Sequence, residues 1–308
     1  MTLTSSVRCT LGLLAAVAVA MLSLAAAAAQ LTFPTPDQAF TALIAAARAE
    51  DTKALIRILG PEGESLVVSG DPVADRQTLH RFVAAYDEAN RIELQGKDKA
   101  TLTVGKEEWP FPIPAIKQGN AWHLDSAAGK EDILDRRIGR DELAVIEVCR
   151  AYVDAQREYA SMDRNNDGYI EYAQKFASSP GKHDGLYWPT TEGEEQSPLG
   201  RLVADAQAAG YPLGKTSNIP IPYYGYYYRI LTGQGPHAPG GAYNYIVNNH
   251  MIGGFGLLAL PAQYGVTGIM TFIVNHDGVV FQKDLGPDTT SIAATISLFD
   301  PGSGWRKQ

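Results

Sequence analysis

The 308-residue chain is poor in cysteine, with only Cys9 and Cys149. Past residue 29 a single thiol remains, so no internal disulfide can staple the fold, and stability has to come from a packed core, aided at most by an ion. Basic runs are missing as well. The 26 Lys and Arg residues are outnumbered by 34 Asp and Glu, the net charge is -8, and no cluster of cations stands ready to displace counterions from phosphates. That excludes nucleic acid as a partner. The six histidines show no His-Glu-x-x-His or other close metal spacing, and there is no Gly-x-Ser-x-Gly nucleophile elbow. No repeat or low-complexity tract follows residue 29. With 45% hydrophobic and 19% charged residues, the composition excludes a disordered chain, a collagen-like repeat and a coiled-coil rod.

What is present begins with an export signal. Arg8 precedes an apolar run from Leu11 to Leu24, and small residues follow from Ala25 to Ala29. A charged start, an apolar middle and an A-x-A end predict a signal peptide over residues 1–29, cut after Ala29. The expected location is the periplasm, with no stable membrane span after cleavage. Cys9 precedes the apolar run, which disfavours lipid attachment. Cys149 sits in the apolar stripe of a predicted helix and reads as a small buried hydrophobe.

The length and the change of period along the chain predict two α+β domains, residues 30–128 and 129–308. Helical spacing runs from Asp37 to Leu59, and a second helix starts at Pro72 behind an Asp71 cap. Period-two alternation then predicts four short strands, around Ile92 and Leu94, Leu102 and Val104, Trp109 to Ile113, and Trp122 and Leu124. Residues 128–142 are charged and read as a solvated connection or first helical turn. A long helix to about residue 162 follows, then a short second helix and a loop-rich stretch over 178–222. Strands are expected at 223–231, 243–248, 256–260, 268–274 and 279–283, with a tight turn at His276-Asp277-Gly278. Alternation within the first of these would put Tyr224, Tyr226 and Tyr228 on one face of a sheet and Tyr223 and Tyr227 on the other.

The sharpest local motif runs from Asp163 to Glu171. Asp163, Asn165 and Asp167 stand at loop positions one, three and five, Gly168 at six, and the Tyr169 carbonyl at seven, as in an EF-hand calcium loop. Calcium needs six to eight oxygens, so the chain has to wrap the ion and turn sharply at the glycine. Glu171 at position nine can act directly or through water. Position twelve departs from the pattern, because Gln174 replaces the bidentate glutamate. The expected ligands for Ca²⁺ are Asp163, Asn165, Asp167, Tyr169, Glu171 and Gln174, with an affinity on the order of 10⁻⁴ to 10⁻³ M. A polar loop joining two helices is the plain alternative. Gly210 to Thr216 imitates a phosphate loop but is one residue short between its glycines, and reads as a helix end. His183-Asp184 reads either as an orienting pair or as a turn. No catalytic constellation is specified.

Asp167-Gly168 with Glu171-Tyr172-Ala173, the run from Ser179 to Pro189, Gly225 to Leu231, and Tyr264 to Phe272 together resemble an uncharacterised bacterial exported family, domain of unknown function 2950. The resemblance spans nearly the whole chain after the signal and implies an envelope location, with no activity to carry over. The first half is similar in pattern to nuclear-transport-factor-2-like α+β domains. The second half, a long helix and then an antiparallel sheet, is similar to the globular part of type IV pilins and pseudopilins. No prepilin-type Gly is followed five residues later by Glu, so that similarity concerns fold alone.

These observations point to a periplasmic, non-enzymatic protein, calcium-stabilised and acting in envelope assembly or on an envelope protein partner. The rival expectation is a small-molecule-binding protein or hydrolase using a pocket in the first domain, with His123, Asp125 or Glu108 converging inside it.

Overall fold

The computed structural model describes residues 30–191, 193–212 and 221–308. The signal segment, Glu192 and residues 213–216 of the phosphate-loop imitation lie outside the described residues. Helix α1 (Pro36–Arg48) starts on Thr35, whose hydroxyl accepts the Gln38 amide, with Pro36 where a missing N–H costs nothing. The single helix expected up to Leu59 is in fact two. Glu50 adopts a φ of 52°, and Asp51 caps a fresh start for α2 (Thr52–Leu59). The break leaves the apolar periodicity intact, since Phe40, Leu43, Ile44, Leu55 and Ile58 are all buried. After the short α3 (Gly63–Val67), helix α4 (Pro72–Glu88) begins as expected, with the Asp71 carboxylate accepting the Val73 and Ala74 amides.

Strands β1 (Asn90–Gln95), β2 (Lys99–Val104), β3 (Trp109–Pro110), β4 (Ala115–Gln118) and β5 (Ala121–Leu124) form an antiparallel sheet in the order β1-β2-β4-β5, with β3 also on β2. The strand expected through Trp109, Phe111 and Ile113 shrinks to two residues. Pro110, Pro112 and Pro114 have no N–H to give a ladder, so pairing resumes at β4, which apolar alternation alone does not mark.

Helix α5 (Ser126–Tyr159) is continuous for 34 residues behind an Asp125 cap, so the expected connection at 128–142 is helical. It serves two cores. Ile133 packs with the first, around Phe40, Leu102 and Trp122, while Val145 to Tyr159 pack with the second, around Tyr226, Phe255 and Phe272. The boundary expected near residue 128 therefore falls at the start of a helix that belongs to both halves.

The second half contains α6 (Gly200–Ala208), β6 (Tyr226–Leu231), β7 (Gly233–Gln234), β8 (Tyr243–Asn244), β9 (Ile246–Val247), β10 (His250–Met251), β11 (Gly256–Pro261), β12 (Met270–Asn275), β13 (Phe281–Asp284), α7 (Thr289–Thr295) and β14 (Arg306–Lys307). Its main sheet runs β14-β13-β12-β11-β6 and is antiparallel throughout, which makes the fold α+β. Alternation divides the strands between two buried faces. Leu257, Ala259, Phe272 and Val274 join the α5 core, whereas Leu258, Ile273 and Leu231 pack with Ala293 and Phe299 on the other side. Strand β6 starts three residues later than expected because Tyr224 and Gly225 both take positive φ, and Tyr226 is its first paired residue. The expected turn is present. Gly278, at φ 77°, donates its N–H to the Asn275 carbonyl between β12 and β13.

The two halves meet at the start of α4. The buried Asp71 carboxylate accepts hydrogen bonds from the Tyr211 hydroxyl (2.7 Å) and the Gly225 amide (3.0 Å), and the Gln77 amide donates to the Ala209 carbonyl.

Candidate metal centre

The loop after α5 is built from its second residue. Arg164 is buried and turns back on the helix it follows. Its Nε and Nη2 donate to the carbonyls of Tyr159 and Glu158, the last of α5, where a cation suits the negative end of the helix dipole. Its Nη1 pairs with Glu195, and its guanidinium lies 5.7 Å from the Trp188 ring centroid. With the loop anchored there, Asp163 accepts the Asp167 and Gly168 amides, and Asp167 accepts the Tyr169 amide. Gly168 stands at φ 90°, a conformation that side chains with a Cβ rarely adopt.

The loop brings together Asn165, Asp167 and Glu171. The Asn165 side-chain amide donates to Asp167 Oδ2 at 2.9 Å and to Glu171 Oε1 at 2.8 Å. A fourth group comes from far away in the chain. His250 Nδ1 lies 3.1 Å from Glu171 Oε2 and 3.6 Å from Asp167 Oδ2, and the Tyr169 ring stacks on its imidazole at 3.9 Å. Asp167, Glu171 and His250 each present a ligand atom within 4.8 Å of the others. A two-residue turn positions His250. Asn248 and Asn249, at φ 51° and 69°, link β9 to β10, the paired left-handed geometry that asparagine tolerates.

Gln174 is placed differently. The short helix expected after the loop is not formed. The Tyr172 amide bonds the Met251 carbonyl and the Ala173 amide bonds Gln156 Oε1, so the chain leaves the loop extended. This carries Gln174 away, and its Nε2 donates to the Asn249 carbonyl at 2.7 Å. The donor set that the geometry gathers is thus two carboxylates, one amide and one imidazole, with the Asp163 carboxylate bracing the turn. Hard oxygens suit calcium, and the imidazole adds a donor that borderline metals accept.

Other residues singled out from sequence have structural partners. Asp184 accepts from the Ser179 amide, the Ser179 hydroxyl and Lys175 Nζ, which outweigh the cost of its burial and hold its carboxyl down at about 2. His183 stacks on Trp188 at 4.1 Å, so the pair closes a turn. Glu194 accepts the Thr191 amide. Cys149 is fully buried, and burial pushes its thiol up to about 12. In the first half, Trp122 is buried, Trp109 is exposed and Phe111 is stacked on Phe82. Asp125 caps α5 and Glu108 pairs with Arg91, so these do not converge with His123 on a pocket.

Among the described residues, no helix is long and apolar enough to cross a membrane. Searches of curated proteins and of solved structures found no match. The family described as "Protein of unknown function (DUF2950)" matches residues 30–308, and the chain belongs to it.

Proposed function

We propose that this is an exported, non-enzymatic envelope protein, stabilised by a calcium ion in the 163–171 loop and acting through a protein partner. The observation that carries the reading is the convergence of Asp167 and Glu171 on the Asn165 amide, around a turn that Gly168 permits. Two carboxylates held this close repel, and a cation between them would offset that repulsion more fully than the shared Asn165 amide does. Rotating the Asn165 amide by half a turn exchanges its N and O positions and offers an oxygen at the same centre. With no glutamate at position twelve, the affinity expected is that of extracellular calcium modules. The charged, apolar, small-residue order of residues 1–29 supports export. Helix α5 against an antiparallel sheet is the arrangement on which the pilin-like reading rests, and it supports a scaffold more than a catalyst.

His250 favours one second reading, a zinc-type ion held by Asp167, Glu171 and His250. Calorimetric titration separates the two. Calcium heat kept in His250→Gln and lost in Asp163→Ala with Asp167→Ala supports calcium. Zinc heat abolished by His250→Gln, with calcium silent, replaces calcium by the second reading, and silence from both ions removes the ion from the account.

A further inference from the structure

Helix α4 lies over a space that the chain does not fill. Its inward face carries Leu79, Phe82, Val83 and Tyr86, yet all four are only half-buried, and Val73 is the one residue of the helix that is buried. Beneath it is a cavity of about 200 Å³, walled by Leu43, Leu55, Leu79, Phe82, Phe111 and Ile133. The space is partly open to solvent, so its apolar walls lack the packing of a filled core and a small apolar molecule can enter and cover them.

The polar groups on the wall are few. Thr78 spends its hydroxyl on the Ala74 carbonyl, and Asp75 accepts the Ser69 amide. The third is Arg137, buried to 7% exposure. Its Nη1 and Nη2 donate to the Ser65 and Leu66 carbonyls, and among the described residues no carboxylate oxygen lies within 4.0 Å of it. A guanidinium has five donors, and the anions that act on this one, Asp75 and Asp141, do so from beyond contact distance, so a carboxylate in direct contact would still be gained by binding.

We propose that this cavity is a binding site for a small apolar carboxylic acid, its hydrocarbon body among the leucine and phenylalanine walls and its carboxylate on Arg137. By volume the body holds roughly six to eight carbons. Burial pushes the Asp75 carboxyl up, so it opposes an incoming anion less than an exposed aspartate does. The site is independent of the ion loop.

Titrating the protein with octanoate, octan-1-ol and octylamine tests this. Octanoate is expected to bind at least tenfold more tightly than octan-1-ol, and octylamine not at all. Arg137→Gln should bring octanoate down to the level of the alcohol, Asp75→Asn should tighten octanoate alone, and Leu79→Trp, which fills the cavity, should abolish both. Because Arg137 also holds α3, its variant is read only if its circular dichroism is native; otherwise the acid-to-alcohol ratio and Leu79→Trp decide. Equal binding of acid and alcohol, binding unaffected by Leu79→Trp, or no binding of any probe overturns the proposal.

Discussion

Asp141 is 2% exposed, at the junction of the two halves, with Arg140 Nη2 at 3.0 Å from its carboxylate. Burial pushes its carboxyl up to about 6 from the ordinary 3.8, against the pull of Arg140 and Arg137. Between those two values the folded chain keeps a proton that the unfolded chain has released. Stability contributed by this group is therefore fully present below about pH 4 and is lost as pH rises to about 6. Asp141→Asn does not titrate. Denaturant unfolding at several pH values is expected to show wild type losing about 2 to 3 kcal/mol relative to Asp141→Asn between pH 4 and 6.5. A difference that stays flat over that range contradicts the assignment.

At the scale of the element, α5 invites a paired test. Gly139 is exposed in mid-helix and an added Cβ there meets nothing within 4 Å, so Gly139→Ala is expected to stabilise the protein by about 0.5 to 1 kcal/mol. Gly129 lies ten residues earlier on the same helix, where a Cβ would stand 2.6 Å from the Pro112 carbonyl oxygen, and Gly129→Ala is expected to destabilise it. Equal effects at both positions, read from chemical denaturation, would contradict the packing described. Elements whose signals are local were legible in the sequence. The Asp71 cap with Pro72, the alternation of β2 and the turn at Gly278 each rest on a few adjacent residues. The split at Glu50 and the late start of β6 depend on positive φ at residues that are not glycine, which no periodicity reveals. The turn of the 163–171 loop, with its glycine at positive φ, was legible for the same local reason. His250 was not, because it stands 79 residues from Glu171 and is brought there by a hairpin turn and an extended exit from the loop. That same exit carries Gln174 to Asn249.

At the scale of the molecule, two cores share one helix and are pinned together where Asp71 caps α4 and binds Tyr211 and Gly225. Removing this carboxylate deletes a cap and leaves a buried hydroxyl and amide without an acceptor. Asp71→Ala is expected to cost on the order of 3 kcal/mol and to split a single calorimetric unfolding transition into two. A variant that unfolds in one unshifted transition contradicts the pinning. Calcium in the 163–171 loop has a thermal signature, read by unfolding the purified protein after chelation and again with added calcium, with magnesium as control. Binding to the folded state alone has to raise the midpoint as the ion exceeds its dissociation constant. The midpoint is expected to rise with millimolar calcium, an effect that magnesium does not reproduce and that Asp163→Ala with Asp167→Ala abolishes. A midpoint indifferent to calcium, or one that the double variant leaves equally responsive, contradicts calcium binding in the loop.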